Sequence, residues 1–177
     1  MEDRMVQFRV GIVVVATVLI AVDRLPSWRG VDGADAGRVL IGDDLEYLER
    51  AFDNVKWGTI PERPWLDVTI PSIVDSSLVP EGKHVLQVWA QSVPYELADG
   101  TWDERRDELG DRVVETIERF APGFSSDVLH RKVLTPLDIE REWGLTGGHL
   151  FHGEPALDQS LYLRPIPGWY RHATPIA

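Results

Sequence analysis

The longest apolar run of the chain extends from Val10 to Val22 and contains one polar residue, Thr17. A transmembrane helix needs roughly 20 apolar residues, so this run is too short to span a membrane. Because β-branched residues dominate it, we interpret it as a strand buried on both faces. A signal or anchor segment and a non-native start are the alternatives, although the residues from Asp23 to Pro26 do not resemble a cleavage site.

Helical spacing and capping residues predict two long helices. Asp44 is a good N-cap for a helix that stops near Gly58, and its apolar stripe consists of Leu45, Leu48, Phe52 and Val55. Thr101 and Glu104 form a capping-box sequence, which predicts a second helix before Ala121-Pro122-Gly123. The predicted buried stripe of this second helix is Leu109, Val113, Ile117 and Phe120.

A short third helix and two strands complete the predicted elements. Thr135-Pro136 places an N-cap before a proline at the first helical position, so a helix should run to about Gly144. Leu66, Val68 and Ile70 alternate with polar or exposed positions, as in a half-buried strand. Val85–Gln91 is a second strand, and we expect these two strands to pair.

Glycine, proline, aromatic residues and histidine dominate the chain from Gly144 onward, so regular structure is not expected there. Such a segment suits close approach of the backbone to a ligand. It is equally typical of an irregular surface loop.

Composition excludes several classes of function. The chain has 177 residues and a net charge of -11, which argues against a nucleic-acid partner because phosphates are bound by Lys and Arg. It has no cysteine, which removes disulfides and thiolate metal sites and is typical of a reducing compartment. We therefore expect a single-domain cytoplasmic protein with no membrane segment. Any redox chemistry would need a bound cofactor.

Three ordered motifs then carry a resemblance: RKVLTPLDIERE at Arg131–Glu142, GLTGGHLFHGE at Gly144–Glu154 and LRPIPGW at Leu163–Trp169. The sequence resembles the phytoene-dehydrogenase-related FAD-dependent oxidoreductases. The likeness covers roughly Ile20 to Ala177, whereas residues 1–19 are an unmatched apolar N-terminal segment. It also takes in Ala21–Pro26, Asp44–Gly58, Thr69–Ser72 and Gly82–His84.

The resemblance implies a fold and a cofactor. The fold is α+β, with a mixed, mostly antiparallel sheet and helices on one side, as in the substrate domain of a glutathione-reductase-like flavoprotein. The cofactor of the intact family member is FAD, and the substrate is a mostly apolar small molecule. The family binds FAD through an N-terminal G-x-G-x-x-G fold and a C-terminal glycine-rich segment, and these 177 residues contain neither.

The chain therefore matches an incomplete substrate-domain portion, and we expect it to retain no FAD and to be inactive in isolation. Its partner would be the missing flavin-binding domain or subunit. The alternative is a non-catalytic interaction module that binds a separate flavin subunit.

By similarity to the family, the segment nearest the flavin and substrate is the glycine-histidine motif, with Trp169 close to it. Paired glycines allow close backbone approach, a histidine can donate a hydrogen bond or transfer a proton, and a phenylalanine can line an apolar cavity. A tight turn with surface histidines, and plain packing of Trp169, are the alternative interpretations. The candidate residues are Gly147, Gly148, His149, Phe151, His152, Gly153 and Trp169.

His149, His152 and Glu154 also have the residue types of a metal site. The helical H-E-x-x-H setting that would direct two imidazoles to one ion is absent, and Pro155 disfavours a helix. We therefore predict no metal, and the catalytic residue is not assigned.

Overall fold

Five strands form one antiparallel sheet in the computed structural model, which describes residues 13–30, 37–151, 156–157, 160–163 and 171. The strands are β1 (Val13–Val22), β2 (Arg38–Ile41), β3 (Leu66–Thr69), β4 (His84–Pro94) and β5 (Val128–Leu134). Their order across the sheet is β2-β3-β4-β1-β5. Each neighbouring pair is antiparallel, so the predicted mixed sheet is corrected to a wholly antiparallel one in the described residues.

The apolar run of the N-terminal region is a strand, as predicted, and it lies between β4 and β5. Only one of its faces is fully buried, which corrects the expectation that both would be. The fully buried residues are Ala16, Val18, Ile20 and Val22. The residues between them are half-buried, namely Thr17, Leu19 and Ala21.

β3 and β4 pair with each other as predicted, with Leu66 opposite Ala90 and Val68 opposite Val88. β4 continues to Pro94, beyond its predicted end, through an irregular pairing with β1 near Ser92. Ser92 has a positive φ of 55°, and its hydroxyl accepts a hydrogen bond from Trp65 Nε1 at 3.2 Å. These features are typical of a β-bulge, which bends a strand while preserving its pairing.

The helices are α1 (Leu45–Lys56), α2 (Pro71–Val74), α3 (Trp102–Phe120), α4 (Phe124–Asp127) and α5 (Pro136–Trp143). Short 3₁₀ turns lie at Ser76–Leu78, Thr146–Gly148 and Leu161–Leu163. The three predicted helices are confirmed as α1, α3 and α5. In the described residues after α5 the only regular structure is 3₁₀, at Thr146–Gly148, Leu157 and Leu161–Leu163.

α1 begins where predicted, because the Asp44 carboxylate accepts a hydrogen bond from the Tyr47 backbone N–H at 2.7 Å. Its predicted apolar stripe is only partly buried, because Val55 is buried and the other three residues are not. Leu45 is 84% exposed, and Leu48 and Phe52 are half-buried. The buried residues are Tyr47, Ala51 and Val55.

α3 packs against the fully buried face of the sheet. Leu109, Val113 and Ile117 are completely buried with Val18 and Val88, as predicted, whereas Phe120 is half-buried. Burying each such aliphatic side chain stabilises the fold by about 1.5–3 kcal/mol before the entropy of ordering it is counted. Arg112 of α3 donates to the Ile60 carbonyl, which joins α3 to the segment after α1.

Candidate functional site

The two central glycines of the predicted motif form a tight turn directly after α5. Gly147 and Gly148 both have a φ of 65°, a conformation that residues with a Cβ rarely adopt. A Cβ on Gly148 would lie 2.3 Å from the Pro136 carbonyl oxygen at the start of α5. The glycine at this position is therefore required by packing against α5, irrespective of any ligand.

One carboxylate fixes this turn to the end of β4. One oxygen of Glu140 accepts the Gly147 backbone N–H at 2.9 Å, and the other accepts the Tyr95 hydroxyl. The hydrogen bond from Tyr95 lowers the pKa of Glu140, and the Gly147 N–H lowers it further. The same bond raises the pKa of Tyr95, with burial acting in the same direction. We call this arrangement of Tyr95, Glu140 and Gly147 the carboxylate clamp.

His149 is brought into the interior beside the turn and is 5% exposed. Its Nδ1 accepts a hydrogen bond from the Phe151 backbone N–H at 3.2 Å, and the two rings meet edge to face with centroids 6.1 Å apart. Because Nδ1 accepts, the neutral imidazole carries its proton on Nε2. The imidazole of His149 is thus held in a defined orientation.

The remaining candidate residues are distributed differently. Phe151 is 61% exposed at the end of the turn. His152, Gly153 and Trp169 lie outside the described residues. The placement of this motif next to a flavin stays a prediction.

A second feature was not predicted from the sequence, namely the face of the sheet that α3 does not cover. Alternate residues on β1 and β4 point to this side and are half-buried. The period-two pattern of Val85–Gln91 could have indicated that this strand has two different faces. Strand register places Leu19 beside Gln87, and Trp89 beside Thr17. We call this surface the open face, and it consists of Thr17, Leu19, Ala21, Thr69, Val85, Gln87, Trp89, His130 and Lys132.

The two edges of the open face differ in charge. At the β2 edge, Arg38 makes a two-point contact with Asp67 at 2.8 and 2.5 Å. Asp67 is 7% exposed, so this ion pair neutralises a buried carboxylate next to Trp89. At the β5 edge lie His130 and Lys132, which are both exposed. Between these two edges, the open face carries the apolar side chains of Leu19, Ala21, Val85 and Trp89.

Most described helices carry a carboxylate at their own N-terminus. A helix N-terminus attracts anions through its unpaired N–H groups and its dipole, which is how proteins commonly hold a pyrophosphate. Glu118 accepts the backbone N–H groups of Gly123 and Ser125 at 2.7 Å each, at the start of α4. The carboxylates at the starts of α1, α3 and α5 belong to Asp44, Glu104 and Asp138.

α2 has no such carboxylate, but it has four residues and begins with a proline that lacks an N–H group. The described residues therefore do not fit the pyrophosphate of a dinucleotide.

Metal-binding clusters and membrane-spanning helices are both absent from the described part of the chain. No group of three or more His, Cys, Asp or Glu side chains is arranged there to hold a metal ion. No helix there is long and apolar enough to cross a membrane. The possible metal ligands His152 and Glu154 lie outside the described residues.

Comparison with known proteins shows which proteins this chain is related to. The chain is similar to pyridine nucleotide-disulfide oxidoreductase domain-containing protein 2 of Rattus norvegicus, at 38% identity over 173 residues that cover 92% of this chain and 30% of the relative. The protein of the same name from Mus musculus is 36% identical, with the same coverage. The chain thus spans about 30% of the length of these curated relatives. No protein-family model matches it.

A second group of relatives is named for carotenoid chemistry. The lycopene-forming phytoene desaturase of Pantoea ananas is 32% identical over 54% of this chain and 20% of its own length. This relationship agrees with the one that the sequence motifs indicated.

Proposed function

We propose that this chain, which belongs to the phytoene-desaturase-related oxidoreductases, provides the substrate-side layer of an FAD-dependent oxidoreductase that acts on a mostly apolar substrate. The observation that carries the proposal is the open face. A sheet with one packed side and one half-buried side holding Leu19, Val85 and Trp89 has the composition of a ligand-cavity wall.

In this proposal FAD would be held by a flavin-binding domain or subunit and would supply the hydride acceptor. The described residues do not supply its pyrophosphate site, because their own carboxylates occupy the helix starts. Their contribution is to bind the apolar body of the substrate, to exclude water from it and to orient it.

The turn at Gly147–Gly148 and His149 provides the polar group in this arrangement. The carboxylate clamp fixes the turn, and the Phe151 N–H fixes the tautomer and orientation of the His149 imidazole. We propose that His149 and Phe151, with His152, Gly153 and Trp169, lie near the flavin and the reacting part of the substrate.

The test compares the 177-residue chain alone with the same chain fused, in one continuous polypeptide, to a G-x-G-x-x-G dinucleotide-binding fold. Alone, the chain should purify without flavin absorbance after incubation with FAD and desalting. The fused polypeptide should retain FAD. A yellow preparation of the chain alone would contradict the proposal.

A second candidate is a non-catalytic module that binds a separate flavin subunit. It is favoured by two exposed apolar side chains at the ends of α1, Leu45 at 84% and Trp57 at 72% exposure. Co-purification of the chain with a separately encoded flavin protein would identify this function. Flavin retention only after covalent fusion would support the first.

A further inference from the structure

The charge distribution of the sheet singles out one lysine. In the described part of the chain three cations have no salt bridge, namely Arg29, Arg119 and Lys132. Lys132 is the one among these three that lies in the sheet. In a chain with a net charge of -11, most described cations are paired, and Lys132 is not.

Lys132 stands at the β5 edge of the open face, directly opposite Leu19 of β1. His130 follows the same face two residues away, opposite Ala21. Both side chains are exposed, so their polar groups are accessible to a ligand that lies on the sheet. Apolar side chains therefore adjoin an uncompensated positive charge.

The β2 edge of the open face, opposite the β5 edge that carries Lys132, has no net charge. The register runs from Lys132 through Leu19, Gln87 and Thr69 to Arg38, whose charge is balanced by Asp67. A ligand lying across the strands thus meets one cationic end and one end without net charge. This polarity can distinguish the two ends of an elongated molecule.

We propose that the open face binds an elongated apolar molecule with an anionic end group, a carboxylate or a phosphate, and that Lys132 receives this end group. The inference rests on the proposed function and adds a substrate class to it. Five strands spaced by about 4.8 Å extend over about 19 Å, which accommodates an extended chain of about twelve carbons. The apolar body lies on Leu19 and then passes between Val85 and Trp89, which flank Gln87 on β4.

A lysine on an edge strand also has a simpler use, since charged side chains discourage edge-to-edge association of sheets. The two roles predict different ligand behaviour. An edge-protecting lysine has no preference among ligand end groups, whereas an anion-receiving lysine does.

The experiment titrates the ¹⁵N- and ¹³C-labelled chain with dodecanoate, dodecyl phosphate and dodecanol, and follows chemical shifts by NMR. The largest shifts should map to the Leu19 and Val85 methyl groups and the Trp89 indole. Either anion should bind about two- to fivefold more tightly than the alcohol, the range expected for an exposed charge pair, and the advantage should shrink at high salt. The order of the two anions identifies the end group.

Variants separate charge from packing. Lys132→Gln should remove the preference for anions without changing dodecanol binding, and Lys132→Arg should retain it. Lys56→Gln is the matched control, because Lys56 lies on α1 and pairs with Asp53. Lys132 has no partner in the described structure, so its substitution should not impair folding, which unchanged urea unfolding verifies.

The outcomes distinguish this inference from the proposed function. If dodecanol binds the open face as tightly as the anions, or if Lys132→Gln retains the preference for anions, the proposal of an anionic end group at Lys132 is wrong. The proposed apolar binding surface would not be affected by that result. If none of the three probes shifts the open face, the wall itself is contradicted as well.

Discussion

At the scale of single residues, Gly148 is a position where backbone conformation and packing both require glycine. Its φ is positive, and the Pro136 carbonyl oxygen occupies the space of a Cβ at 2.3 Å. The contacting atoms belong to the backbone of α5, so they cannot move aside as a flexible side chain could. The turn therefore admits glycine and excludes every other residue without a shift of α5.

Replacing Gly148 with alanine should lower the free energy of unfolding by about 2–5 kcal/mol, since a left-handed conformation and overpacking each contribute. Urea unfolding followed by circular dichroism measures this. Gly144→Ala is the control, because Gly144 has a φ of 68° but no atom within 4 Å of the position that a Cβ would take. Its cost should be about 1–2 kcal/mol. Equal costs for the two variants would show that the contact with Pro136 is not tight.

The sequence predicted that these glycines matter, but it could not reveal their packing cause. The pair Gly147-Gly148 suggested a close approach of backbone to a planar ligand. The structure shows a close approach of backbone to backbone, which depends on the path of the chain from Pro136 back to Gly148. A contact over twelve residues has no local signature.

At the scale of elements, two capping boxes with the same chemistry differ in their surroundings. Thr101 and Glu104 begin α3 at an exposed position. Thr135 and Asp138 begin α5, and both are buried. Asp138 also pairs with Arg106 of α3 at 3.2 Å, so it joins two helices.

Asp138→Ala should therefore lower the free energy of unfolding by about 2–4 kcal/mol, because it leaves buried N–H and hydroxyl groups of Thr135 without a partner. Glu104→Ala, the matched exposed change, should cost about 1 kcal/mol because water replaces the lost cap. Thermal or urea unfolding of the two variants compares them. A larger loss for Glu104→Ala would contradict the importance of burial.

Helix starts were predictable because a cap is a local interaction, whereas the buried side of α1 was not. Leu45 and Phe52 have helical spacing, yet the sheet receives the side that carries Tyr47, Ala51 and Val55. Tyr47 is buried because its hydroxyl donates to the Pro64 carbonyl at 2.9 Å, a partner seventeen residues away. An apolar stripe alone does not determine which side of a helix meets the core.

Edge strands were missed for a related reason. β5 contains His130, Arg131 and Lys132 in succession, so its alternation is concealed by charge. The strand forms because β1 offers an unpaired edge, and β1 was recognisable from its apolar run. The pair of β3 and β4 was predictable since both strands alternate visibly and follow each other in the chain.

At the scale of the whole molecule, acidic groups determine the response to pH. Five described carboxyl groups have a pKa below the ordinary range, because each accepts hydrogen bonds that its charged form strengthens. They are Asp23, Asp75, Asp103, Glu118 and Glu140. The leading donors are Lys83, Ser77, Arg141, Ser125 and Tyr95 in that order.

A lowered pKa in the folded state means that the unfolded chain binds more protons in acid. The stability from these carboxylates is therefore fully present above the ordinary pKa of about 4 and is lost as the pH falls through the lower folded values. The urea midpoint should be level near pH 6 to 7 and fall below about pH 4.5. A midpoint that rises in acid would contradict this assignment.

Glu118→Gln should reduce the steepness of this acid loss, since the backbone N–H groups of Ser125 and Gly123 then meet a group that does not titrate. Glu115→Gln is the control on the same helix, because Glu115 is exposed and makes no hydrogen bond in the described structure. The comparison requires only the urea midpoint of each variant at several pH values. Identical pH profiles for both variants would show that Glu118 is not coupled to folding.

The carboxylates at the helix starts also have a consequence for biogenesis. A helix start that already has a carboxylate needs no bound nucleotide to stabilise its first turn, and α1, α3, α4 and α5 all have one, that of α4 coming from Glu118 of α3. Newly synthesised chains can therefore complete this layer before any cofactor is loaded. Under the proposed function, we expect the chain to fold to the same urea midpoint with and without added FAD.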